Sequence, residues 1–148
     1  MRVSVRALLL DENDELVFFR RFVAGRGVYY SAPGGKIEAD EDDETALRRE
    51  LFEELGATVG ELRYLFAAPG NDRYPTAHRF YATRLVSMDI TLRTGTEFSN
   101  PAKGTYDVER IACESKALRP FPFVPPELAS YLEDNADRLP DLVATLDR

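Results

Sequence analysis

An α/β fold in one domain over residues 1–148 is predicted by three features: strand-like apolar runs open the chain, an amphipathic helix with marked ends follows a Gly-Gly pair, and later strands give way to helices. Val3 to Leu10 alternates apolar with other residues and then turns wholly apolar, and Leu16 to Phe22 is rich in Val and Phe. Asp11 to Glu15 between them reads as the turn of a hairpin whose second strand ends at Arg20 and Arg21. These arginines are either exposed edge charges or bidentate partners for phosphate. Val23 to Val28, with two glycines and Arg26, is expected to be a flexible connection, and Tyr29 to Ala32 a short strand leading into Pro33, Gly34 and Gly35.

The helix is expected from Asp43 to Leu55. Leu47, Leu51 and Leu55 recur every four residues as an apolar stripe, uninterrupted by Gly or Pro. Asp42, Asp43 and Glu44 lie where the positive end of the helix dipole favours acids, and Gly56 is placed to stop the helix. Beyond it, Glu61 to Ala67 reads as a strand, Pro69 to Pro75 as a loop and His78 to Val86 as another strand, which Met88 to Leu92 extends or follows with a new edge. Thr94 to Ile111 mixes turn formers with acids and ends in a short strand at Tyr106 to Ala112. A helix from Pro125-Pro126-Glu127 to about Asn135 and a short one from Asp141 to Leu146 complete the prediction.

The net charge of -7 argues against a nucleic-acid or anionic-membrane surface, which calls for clustered Lys and Arg. A single cysteine, Cys113, excludes an internal disulfide framework and fits a reducing compartment. The first apolar run is too short for a signal-peptide core or a membrane span, so a soluble, cytoplasmic protein is expected.

The acids around the helix call for an explanation. Glu38, Asp40, Glu41, Asp42, Asp43, Glu44, Glu50, Glu53 and Glu54 crowd against Arg48 and Arg49. Glu50, Glu53 and Glu54 share one helix face, where like charges repel. Arg49 lies one turn before Glu53 and can pair with it, but one guanidinium cannot neutralise three carboxylates. Either this is a solvated acidic face or it binds a hard divalent cation, Mg²⁺ or Mn²⁺, which takes oxygen ligands together with water and substrate phosphates.

The upstream Gly-Gly pair and the fixed spacings favour the second. Gly35, five residues, Glu41, seven residues, Arg49-Glu50-Leu51, one residue, Glu53-Glu54, one residue, Gly56-Ala57 resembles the Nudix box, the signature of the Nudix hydrolase superfamily, at eight of nine positions. Ala57 departs from the larger aliphatic residue usual there, and Asp40 stands where relatives often have Gly. Ala32-Pro33-Gly34-Gly35 is also similar to the family, with Tyr30 where many members have Trp.

The resemblance implies an α/β/α sandwich with a mixed, mostly antiparallel central sheet, and cleavage of a diphosphate linkage by water in the presence of Mg²⁺ or Mn²⁺. It implies metal ligation chiefly by Glu50 and Glu54, with Glu53 and the Gly34 carbonyl contributing, orientation of Glu53 by Arg49, and a loop tether or contact to metal-bound water at Glu41. It also implies one further glutamate from a later loop, Glu97 or its rival Glu109. The general base is expected at Glu53, with Glu97 second. Substrate contacts are expected from Arg20, Arg21, Tyr30 and Tyr74. Tyr74, seventeen residues past Ala57, lies near a tyrosine found in the family's dinucleoside polyphosphate hydrolases. The proline that marks ADP-ribose hydrolases is missing. His78 and Cys113 adjoin no partner motif and are not expected in catalysis. A small-molecule nucleotide derivative is the expected substrate, and homodimers are common in the family. The alternative is a non-catalytic Nudix-fold nucleotide sensor, although every box acid is present; an isoprenoid diphosphate isomerase would need a cysteine ahead of the box, where there is none.

Overall fold

The computed structural model describes residues 2–147. Strand β1 (Arg2–Leu10) pairs antiparallel with β2 (Glu15–Val23) across a turn held by Asp11, whose buried carboxylate accepts the amides of Asn13 and Glu15. The segment expected to be a flexible connection is instead a tight turn. Val23 pairs with Gly27 at the start of β3 (Gly27–Ser31), and Gly25 and Gly27 take the positive φ angles, 87° and 77°, that such a turn demands.

A three-residue strand, β4 (Gly34–Lys36), then pairs antiparallel with β1. It has no side-chain pattern to betray it in the sequence. What it needs is Gly34, whose φ is 140° and where a Cβ would lie 2.0 Å from the Val5 carbonyl oxygen.

Helix α1 (Asp43–Leu55) has the predicted bounds. Asp42 caps it by accepting the Thr45 amide at 2.8 Å, and Gly56 ends it in the left-handed conformation. Strand β5 (Ala57–Val59), also unforeseen, leads to β6 (Arg63–Ala68) and the long β7 (Thr76–Met88). The sheet ends there: Met88 is the last residue of β7, and Asp89 accepts the Thr91 amide and turns Ile90–Leu92 into a 3-10 helix, so residues 89–92 do not extend the strand. After β8 (Asp107–Ala112) come α2 (Ser115–Leu118), α3 (Pro126–Asn135) and α4 (Leu139–Ala144).

The described residues form a mixed sheet in the order β3-β2-β1-β7-β5, with β4 also on β1, β6 on β7 and β8 on β2. The pairing of β1 with β7 is parallel and the other pairings are antiparallel. Alternation along β1 and β2 divides the core in two. Val5, Ala7, Leu9, Val17 and Phe19 face Leu47, Leu51 and Leu55 of α1, whereas Leu8, Leu10, Leu16 and Phe18 face Leu128, Leu132, Leu139 and Val143 of α3 and α4. Each fully buried leucine contributes about 1.5–3 kcal/mol. The result is an α/β/α sandwich with α1 clamped across one face. No helix among the described residues is long and apolar enough to cross a membrane.

Candidate active site

With its apolar stripe buried, α1 presents Glu54 to Gly34 and Glu50 to Gly35 of β4, and Glu53 to Arg49. Arg49 organises them. Its Nε and Nη2 donate to the two carboxylate oxygens of Glu41 at 2.7 and 2.8 Å, its Nη1 to Glu50 at 3.0 Å and Glu53 at 3.2 Å, and its Nη2 also to the Lys36 carbonyl at 3.2 Å. Glu41 in turn accepts the Glu38 amide at 2.9 Å, which ties the loop before α1 to the helix. The hydrogen bond from Arg49 pulls the Glu41 carboxyl down to about 2, and the same contact raises the Arg49 guanidinium.

The glycine pair closes over these acids. The Gly34 amide donates to Glu54 Oε1 at 2.6 Å, and a Cβ on Gly35 would lie 2.4 Å from the carboxyl carbon of Glu50. Glu54 is 5% exposed, and burial pushes its carboxyl up to about 8 against the opposing pull of Arg6 and the Gly34 amide. Burial also raises Glu50, outweighing Arg49.

Arg6 escaped the sequence reading. It stands on β1 among apolar residues, and its Nη1 donates to the carbonyls of Ala32 at 3.2 Å and Gly34 at 3.1 Å. Burial lowers its pKa, opposed first by Glu54 and then by Glu50. Its strand also carries Arg2 and Ser4, so a cation there was no distinctive signal in the sequence.

Arg93 was also missed. It donates to the Glu54 carbonyl at 2.8 Å and the Tyr106 carbonyl at 3.2 Å, while the Thr94 amide donates to the Glu53 carbonyl at 2.8 Å. These bonds cap the end of α1 and anchor the segment that carries Glu97, which lies in the 3-10 helix Thr96–Ser99. The Glu97 charge acts on Glu54 and on Arg93. Glu109 stands apart: it lies opposite Phe18 on β2 and accepts the Tyr30 hydroxyl.

Beside the Gly34 turn opens a cavity of about 370 Å³ between β1, β3, β7, the 69–75 loop and the start of α3. Arg6, Arg21, Arg26, Tyr29, Tyr74 and His78 are among its walls. Arg21 is bound to the carbonyls of Lys103 and Thr105 and lies 3.5 Å above the Tyr106 ring, and Arg26 covers the Tyr29 ring. Burial, aided by Arg6, holds His78 down to about 4, so it is neutral. Its Nδ1 is buried without a hydrogen-bond partner among the described residues.

Arg20 and Tyr30, expected at the substrate, are not cavity walls. They are paired neighbours on β2 and β3. Tyr30 is buried against Phe121 and Phe123, with its hydroxyl on Glu109, because its ring supplies the core on the α3 side. Cys113 is buried as well, and burial pushes its thiol up to about 12.

Among the described residues no three acids surround a common point at metal-ligand spacing, since Glu50 and Glu53 turn to Arg49 and Glu54 to the Gly34 amide. The donor set nonetheless suits a hard cation. It is all oxygen, the Glu50 carboxylate fills the space a Gly35 side chain would take, and Glu54 is kept from ionising partly by its acidic neighbours Glu50 and Glu97.

A pH signature follows. Glu54 in the fold holds its proton up to about pH 8, whereas an unfolded glutamate releases it near pH 4.5. Its contribution to stability is therefore full below pH 4.5 and is lost as pH rises toward 8. Urea melts in EDTA should show this loss, and Glu54→Gln should remove it. Identical pH profiles for the two proteins would contradict the assignment.

The NUDIX domain family matches residues 1–134. An RNA pyrophosphohydrolase of Saccharophagus degradans is 32% identical over 117 residues, covering 69% of this chain and 66% of that protein. The chain thus spans just under two thirds of that relative's length. Among solved structures, the MutT NUDIX hydrolase of Burkholderia pseudomallei superposes with a TM-score of 0.68 at 21% identity, over 90% of this chain and 97% of the other. A bifunctional NMN adenylyltransferase/ADP ribose pyrophosphatase of Francisella tularensis gives 0.62 at 22% identity, over 91% and 41%. At these identities the two structures establish the shared fold.

Proposed function

The chain belongs to the Nudix family, and from that premise we propose that it is a hydrolase that cleaves a diphosphate linkage in a nucleotide derivative with Mg²⁺ or Mn²⁺. The observation that most supports this is the closure of the Gly34–Gly35 turn on Glu50 and Glu54 directly beside the arginine-lined cavity. Glu50, Glu54 and Glu53, with the Gly34 carbonyl, would hold the cation. Bound there, it would neutralise phosphate oxygens and acidify a water.

The chain's own residues do the rest. Glu53 takes the proton of the attacking water, with Glu97 as the second candidate for that role. As the water oxygen bonds to phosphorus, the bridging P–O bond breaks and its electrons leave with the departing phosphate. Arg49 keeps Glu53 in place and limits repulsion among the acids. Glu41 holds Arg49. The cavity seats the part of the substrate beyond the phosphates, with Tyr74 available to pack against a base. With one cysteine, which cannot form an internal disulfide, the chain suits a reducing cytoplasm.

The test is hydrolysis of ATP, GTP, oxidised dGTP, ADP-ribose, a diadenosine polyphosphate, a nucleotide sugar and a 5′-triphosphorylated RNA, each with Mg²⁺, Mn²⁺ or EDTA. RNA belongs in the panel because of the relative's activity, although the net charge of -7 disfavours it. Cleavage of one compound far above the others, abolished by EDTA, is expected. Silence across the panel would favour a nucleotide sensor.

A further inference from the structure

We propose that Arg6 is the receptor for the phosphate that stays with the cavity-bound group; this rests on the hydrolase reading above. Arg6 is a wall of the cavity and a neighbour of the catalytic turn at once. Its guanidinium spends only Nη1 on the protein, on the two carbonyls of Ala32 and Gly34. Among the described residues Nε and Nη2 have no acceptor, and neither is sealed from solvent as His78 Nδ1 is.

No carboxylate lies within ion-pair distance of Arg6 among the described residues. Burying part of a cation without an ion-pair partner is costly, and an anion bound at the accessible Nε and Nη2 would offset that cost. The acids that act on Arg6 from further away are Glu54 and Glu50, and both belong to the other side of the turn.

The other cavity arginines are either committed or exposed. Arg21 already gives Nε and Nη2 to carbonyls and stacks on Tyr106, and Arg26 covers Tyr29. The N–H groups of Arg26 are also uncommitted among the described residues, but it is exposed on the turn before β3. Arg6, by contrast, is partly buried and tied to the Gly34 carbonyl, and its Nε and Nη2 offer the fork that fits two phosphate oxygens. A phosphate there puts the scissile linkage between Arg6 and the α1 acids. The cavity-bound product then departs carrying that phosphate.

The experiment is calorimetric titration of inorganic pyrophosphate into the protein in EDTA, a probe that requires neither a base nor turnover. Wild type should bind measurably. Arg6→Met should bind about 10–100-fold more weakly, the loss of a charged hydrogen-bond pair, and Arg6→Lys should fall between them. Arg119→Met, which removes an exposed arginine paired with Glu133, should bind as wild type. If Arg6→Met does not fold by circular dichroism, Arg6→Lys gives the reading. Equal binding by the Arg6 variants and wild type, or no binding by wild type, would overturn the proposal. Failure of the hydrolase reading shows separately, as silence in the substrate panel with metal.

Discussion

Glu53→Gln is expected to lower turnover by about 10²–10⁴-fold, the range for removing a general base, while the melting temperature changes little. Glu53 is half-buried, and Arg49 is its side-chain partner at 3.2 Å, a bond a glutamine oxygen can still accept. Glu54→Gln should lose more than about 100-fold, because outer-shell partners of metal ligands alone cost 10–100-fold. The amide keeps the shape and the bond from Gly34 but lacks the charge. Steady-state kinetics at saturating Mg²⁺, with circular dichroism as the folding control, measures both. Near-wild-type turnover in the two variants would end this assignment of the site.

Gly35→Ala is the second large effect. The new Cβ would lie 2.4 Å from the Glu50 carboxyl carbon and 2.5 and 2.7 Å from its oxygens. Glu50 is not free to retreat, since Arg49 holds Oε1 at 3.0 Å. Misplacing a ligand in this way should lower kcat/KM by at least about 10–100-fold. The glycine is thus needed for the space of a carboxylate rather than for an unusual backbone angle. A variant with wild-type kcat/KM would show that the position of Glu50 does not matter to the reaction.

Local signals in the sequence were read most accurately. The bounds of α1 followed from the Leu47–Leu51–Leu55 stripe, Asp42 and Gly56, each of which acts within one helical turn. Strands β4 and β5, at three residues each, are defined by pairing with β1 and β7 and have no periodicity of their own. Glycines at Gly25 and Gly27 suggested flexibility where they serve a tight turn, because composition does not report φ.

The same contrast runs through the site. Arg49 and its acids lie within one short stretch and could be read from spacing. Arg6, Arg93 and His78 reach the site only through sheet pairing and loop closure, so nothing nearby in sequence marks them. Tyr30 resembled a substrate contact by position, yet strand alternation turns it into the α3-side core. The cavity walls come from segments as far apart as Arg6 and Glu127, and for that reason substrate identity stayed out of reach.

If Glu50, Glu54 and the Gly34 carbonyl hold the cation, the protein binds Mn²⁺ through them before any substrate arrives. Titration of Mn²⁺ followed by the electron paramagnetic resonance of the free ion tests it without any substrate. Wild type should deplete the free signal, whereas Glu50→Gln and Glu54→Gln should each weaken binding at least about 10-fold and Glu109→Gln should leave it unchanged. Equal Mn²⁺ binding by wild type and both α1 variants would contradict the account.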